Sequence, residues 1–139
     1  MVNGRMPAYL TLVAVALCAA ALWLLQPYSV RSPWEAYTKP AQRFLLAAMR
    51  RDSLALSRQS GSIAPVVWAL AAARTQPESL SVWARDAEAS MGTRRGDTAD
   101  VLLSTATDVC SRHPIWLRFV GSGDEARVLR ASSACFDSR

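Results

Sequence analysis

At 139 residues and 51% hydrophobic content, the chain has room for one modest core and is too apolar for a disordered tail. Its formal charge of +5 is spread thinly: beyond Arg31, fourteen basic residues face eleven acidic ones, a surplus of +3 with no basic stripe. Nucleic-acid binders gather Lys and Arg on one face among aromatics, so this composition argues against a nucleic-acid partner. Fifteen of the sixteen cations are Arg, a side chain that can grip phosphate or carboxylate with two parallel bonds, yet their scatter reads as solvated surface.

The first predicted element is an apolar helix. Pro7 to Leu25 carries no charge, and only Tyr9 and Thr11 are appreciably polar. Helical residues in that number would extend about 28 Å, close to the hydrocarbon thickness of a bilayer. The reading is a short cytoplasmic N-terminus over 1–6, a transmembrane helix or signal anchor over 7–26, a linker and helix start over 27–37, and an exported domain over 38–136. Trp23, Tyr28 and Trp34 fall where amphipathic rings sit at a membrane interface, and Pro27 helps end the helix. A cleaved signal peptide is the alternative, with Ala19 and Ala21 as its small residues, and would leave the domain secreted or periplasmic. A lipoprotein fits less well, because Cys18 follows Leu17 and seven more apolar residues come after it.

Beyond the leader, Ser32-Pro33-Trp34-Glu35 reads as a helix start with a capping box, and Pro40 kinks or restarts the helix with Thr38 as a second cap. Ala41, Phe44, Leu45, Ala48 and Met49 recur at helical spacing, so one face of this helix is expected to be buried. Asp52 looks like the cap of a short second helix through Leu56, followed by a polar loop from Ser57 to Ser62. Val66 to Ala73 predicts a short buried helix, and Pro77-Glu78 opens another through Trp83. After Arg85 the pattern turns to strands. Ala87 to Thr93 alternates weakly, Arg94 to Asp97 supplies turn chemistry, and Asp100 to Thr107 is strand-like. Pro114 to Val120 alternates best, with Ile115, Leu117 and Phe119 on one face and Trp116, Arg118 and Val120 on the other. Gly121 to Asp124 reads as a hairpin turn, and Glu125 to Ala134 as the last strand. Helices first and then hairpin-linked strands predict an α+β fold, with helices packed on a curved antiparallel sheet of about four strands.

Cys110 and Cys135 are the two cysteines beyond the apolar stretch, and an even pair in an oxidising compartment is usually a disulfide. Closing that loop would stabilise the domain by about 3 kcal/mol in the chain-entropy model. The alternative is two unpaired thiols in a cytosolic domain. Arg5 is the one basic side chain before the span, whereas Arg31, Lys39, Arg43, Arg50 and Arg51 follow it. Local charge therefore opposes an exported domain, but long domains translocate largely regardless of charge. The disulfide reading decides for a single-pass inner-membrane protein with its C-terminal domain on the non-cytoplasmic side.

The run Ala41-x-x-Phe44-Leu45-x-Ala47-x-x-x-x-Asp52-x-x-Ala55-Leu56 is similar to the opening helix of proteins in the nuclear transport factor 2-like superfamily. The resemblance covers about residues 32–136 and rests on a loose helix pattern plus the order of elements. It implies the cone-shaped fold of ketosteroid-isomerase-type domains, which place a carboxylate base in an apolar cone. Asp86, Asp97, Asp100 and Asp108 are the residues to test for that role, but no inward pair can be assigned from sequence, so no catalytic residue is carried over.

Other chemistry is sparse. His113 is the single histidine and sits just before Pro114, where a loop position is the simplest reading despite nearby Ser111 and Asp108. One histidine and two separated cysteines fall short of a metal site, and no cofactor signature is present. Arg95-Gly96-Asp97 spells an adhesion tripeptide, but a glycine before an aspartate is also what a hairpin turn needs. Phe44, Trp68, Trp83, Trp116 and Phe119 are the aromatics expected to form the core or to line a pocket. The expectation is a membrane-anchored, non-catalytic domain that binds a partner protein or a small apolar ligand. The alternative is an isomerase or dehydratase-type enzyme.

Overall fold

The computed structural model describes residues 8–25, 32–105 and 114–133. Cys110, Cys135, His113 and Asp108 lie outside the described residues, so the expected disulfide and the histidine are not placed by it. The chain divides into two units, Met1–Val30 and Arg31–Arg139.

The first unit contributes one helix, α1 (Ala8–Leu24), in which no residue is buried and Trp23 is 78% exposed. It is 17 residues long, about 25 Å at the helical rise, against the roughly 20 residues of a typical span. Among the described residues no helix is long and apolar enough to cross a membrane. The transmembrane helix expected over 7–26 is therefore not supported as a span: the described helix covers Ala8–Leu24 and falls short of that length.

The second unit is α+β. A 3₁₀ turn at Glu35–Tyr37 leads into α2 (Thr38–Met49), α3 (Ser53–Gln59), α4 (Ile63–Thr75) and α5 (Pro77–Asp86), and then β1 (Glu88–Arg95), β2 (Thr98–Ser104), β3 (Ile115–Val120) and β4 (Arg127–Ser132). The strands form one antiparallel sheet in the order β1-β2-β3-β4. Its inner face presents Ala99, Val101, Leu103, Ile115, Leu117, Phe119 and Val128, all buried with the helix residues Phe44, Leu45, Leu56, Leu80 and Trp83.

Local chemistry explains where the elements start. The α-helix does not begin at the predicted capping box. Ser32 instead organises a turn, its carbonyl accepting from the Glu35 N–H at 2.9 Å and its hydroxyl oxygen accepting from the Trp34 N–H at 3.4 Å. A helix running on from Ser32 would lose its bond at Pro40 and clash there. Starting α2 at Thr38 puts that proline in the first turn, where the N–H has no partner anyway. Thr38 is not a cap either: its hydroxyl oxygen accepts from the Ala89 N–H at 3.0 Å and ties α2 to the start of β1. Asp52 does cap α3, its Oδ1 accepting from the Ala55 N–H at 3.0 Å.

α3 runs on to Gln59, shortening the predicted Ser57–Ser62 loop, because buried Leu56 anchors its last turn. α4 is longer than predicted and buries only one side, leaving Ile63 and Val67 exposed. Arg94 and Arg95 belong to β1 rather than to the turn, which Gly96 makes with φ +62°. A 3₁₀ turn at Gly123–Glu125 delays β4 to Arg127.

Both sheet edges are partly covered. After α3, the Gly61 N–H donates to the Val128 carbonyl at 2.8 Å and the Ser62 hydroxyl to the Leu129 carbonyl at 3.1 Å, lining the edge of β4. At β1, Gln42 Nε2 donates to the Ala87 carbonyl at 2.9 Å just ahead of the strand. Such contacts blunt edges that would otherwise recruit foreign strands.

Candidate functional site

Among the described residues the helices cover one face of the sheet, and none packs across the other. Because side chains alternate across a strand, the pairing register lines up the outward residues in rows. One row crosses all four strands as Thr93, Asp100, Arg118 and Arg130. The next is Met91, Leu102, Trp116 and Ser132, and on the other side of the first lies Arg95, Thr98, Val120 and Arg127. A charged row is thus flanked by a largely apolar one and by one with an arginine at each end. Thr93, Asp100, Trp116, Arg118, Arg130 and Ser132 line a shallow hollow of about 280 Å³.

Two register shifts make this arrangement possible. A bulge in β1 between Ala89 and Met91 turns Met91 outward, and one opposite Arg118/Phe119 skips Leu129 and brings Arg130 to the outer face.

Within the hollow, Arg118 Nε and Nη2 donate to the two carboxylate oxygens of Asp100 at 2.7 and 3.0 Å. This two-pronged bond holds the Asp100 carboxyl below its ordinary range, with Coulombic support from Arg118, Arg95 and Arg130 and against partial desolvation, and it raises Arg118. Arg130 stands directly opposite Arg118, and among the described residues its side chain has no hydrogen-bond or ion-pair partner. Like charges placed face to face across strands repel.

Of the five aromatics singled out by sequence, Phe44, Trp83 and Phe119 are core and Trp68 is half-buried. Trp116 is the exception, 41% exposed on the outward face. No pocket among those described is built from these five together. The aspartates are also dispersed. Asp86 ends α5 and pairs with Arg85, Asp97 is in the β1–β2 turn, and Asp100 faces outward onto Arg118. Among the described residues no group of three or more His, Cys, Asp and Glu could hold a metal ion.

A second concavity, about 630 Å³, lies between α2, the end of α3 and the β3–β4 connection. Arg43, Arg58, Gln59, Asp124, Glu125 and Arg127 are among its lining residues. Sequence reading missed it because those residues come from three segments far apart in the chain. The outward row was partly legible, since the alternation in Pro114 to Val120 already put Trp116 and Arg118 on one face. No known protein family, curated protein or solved structure matches the chain.

Proposed function

We propose that this chain is a membrane-tethered binding module without catalysis of its own, which grips an acidic segment of a partner protein with the open face of its sheet. The observation that carries the reading is the set of rows on that face. Arg130 lies unpaired opposite Arg118, beside an apolar row centred on Trp116 and Leu102. An acidic side chain laid across the two arginines would relieve their repulsion, and Trp116 with Met91 supplies apolar area beside it. Trp, Met and Arg are the residue types that interfaces favour. A small apolar ligand is less well served, because the inner face is filled by Val101, Leu117 and Phe119.

In this reading α1 is the tether. It lies in a stretch with no charged residue between Arg5 and Arg31, and its exposed apolar surface has bilayer lipid as its natural solvent. Anchoring would hold the domain at the membrane and raise its effective concentration toward partners there. In the same reading the domain lies on the non-cytoplasmic side of the inner membrane, the side that the expected Cys110–Cys135 disulfide would require.

The grip is tested with the full chain in neutral detergent and a fluorescein-labelled peptide alternating Glu and Phe. Binding should weaken steeply with salt and fall about tenfold in Trp116→Ala and in Arg130→Glu. Wild-type affinity in both variants, or no binding by the native chain, refutes it. The tether is tested by alkaline carbonate extraction: the chain should stay with the membranes, and recovery in the aqueous fraction overturns that part. A reporter fused after Arg139 that is active only in the cytoplasm overturns the orientation.

A further inference from the structure

We propose that the groove between α2, the end of α3 and the β3–β4 connection binds a compact phosphate group. Three arginines from three elements line it: Arg43 from α2, Arg58 from α3 and Arg127 from β4. Arg43 is already engaged by the exposed Asp124 carboxylate at 3.5 Å. The side chains of Arg58 and Arg127 have no hydrogen-bond or ion-pair partner among the described residues, which leaves their planar forks available to an oxyanion.

A second observation points the same way. Gln59 lines the groove, and its Oε1 is shut from solvent with no hydrogen-bond partner among the described residues. An unbonded buried carbonyl is costly, and the P–OH of a singly protonated phosphate is the donor it lacks, once the amide turns toward the groove.

Charge sets the size of the ligand. Three arginines against Asp124 and Glu125 leave the lining one positive charge in surplus, which suits a small anion and not a polyanionic strand. The volume of about 630 Å³ is that of a small-molecule site. The same chemistry is offered by a soluble phosphomonoester and by a phospholipid headgroup.

The test is a titration of the full chain, in neutral detergent, with inorganic phosphate, followed by amide NMR. The Gly121 and Arg127 resonances should shift and saturate, and binding should fall at least tenfold in the double variant Arg58→Gln/Arg127→Gln. Arg74→Gln, an equally exposed arginine on α4, should leave it unchanged. The lysine double variant Arg58→Lys/Arg127→Lys keeps the charge but loses the planar fork, and should recover only part of the affinity. Shifts that never saturate, or an equal loss in Arg74→Gln, overturn the proposal, as does full affinity in the glutamine double variant. Thermal melts of each variant separate lost binding from lost folding. In phosphatidylcholine nanodiscs, phosphate binding that disappears on adding phosphatidylglycerol assigns the site to a lipid headgroup, and binding that persists assigns it to a soluble ligand. Because Trp116 and Arg130 are untouched, the acidic-peptide assay reports independently on the open sheet face.

Discussion

Replacing Gly92 by Ala should destabilise the folded unit, and the structure says by how much. Gly92 sits in β1 opposite Val101, where an added Cβ would collide with the carbonyl oxygen of Asp100 and lie 3.0 and 3.1 Å from Cε3 and Cζ3 of Trp34. The oxygen belongs to the neighbouring strand's backbone, so no rotamer change relieves the clash and β1 must shift against β2. Overpacking of this kind costs about 1–3 kcal/mol. Alanine gives back about 0.5–1 kcal/mol by restricting the unfolded chain. A clash against backbone belongs in the upper part of that range, about 2–3 kcal/mol, so the net loss is about 1–2.5 kcal/mol, and in a domain near 100 residues each kcal/mol moves the midpoint by about 4–8 °C. Thermal melts of the full chain by near-ultraviolet circular dichroism, in one detergent throughout, should show a midpoint roughly 4–20 °C lower. Gly61→Ala is the comparison. Its Cβ would meet the flexible Leu129 side chain, Cδ2 at 2.5 Å, which can swing aside, so its loss should be smaller. Adding Trp34→Ala should not rescue Gly92→Ala, since the worse contact is with backbone. A Gly92→Ala midpoint within about 2 °C of the parent, or a larger loss in Gly61→Ala, refutes this account of the β1–β2 approach.

Leu117→Ala removes a fully buried side chain from the middle of β3 and should cost about 2–5 kcal/mol in urea unfolding, with little change in slope. Asp52→Ala deletes the α3 cap and should cost about 1 kcal/mol, whereas Asp52→Asn should lose much less. Asp100 titrates below its ordinary value because Arg118 bonds its charged form. Its contribution is therefore fully present above about pH 3.9 and is lost as pH falls through the lowered folded value. The stability difference between the parent and Asp100→Asn should be constant from neutral pH down to about 4 and vanish in stronger acid; a difference that grows on acidification contradicts the assigned bond.

Much of this architecture is local and was readable residue by residue. The Asp52 cap, the apolar face of α2 and the alternation of β3 are decided by short-range spacing, so helices followed by an antiparallel sheet could be predicted. The departures have long-range causes. Thr38 looked like a cap but spends its hydroxyl on the Ala89 N–H, 51 residues away, and the short buried helix expected over Val66 to Ala73 is a longer α4 that leaves Ile63 and Val67 exposed. Trp116 was expected in the core or a pocket, and strand register decides between them by putting it on the outer face, where it lines the hollow beside Arg118.

The candidate sites show the same division. Composition and spacing by themselves determined the charge-free N-terminal helix, the order of the elements and the absence of any basic stripe along the chain. Only the tertiary structure decided that Asp100, Arg118 and Arg130 stand in one row and that Arg43, Arg58 and Arg127 share one groove. Two β-bulges, each shifting a strand by one residue, select which side chains face out, and chain reversal brings distant arginines together. Neither leaves a mark at fixed sequence spacing, because both depend on how the strands pair and not on any one strand's own pattern.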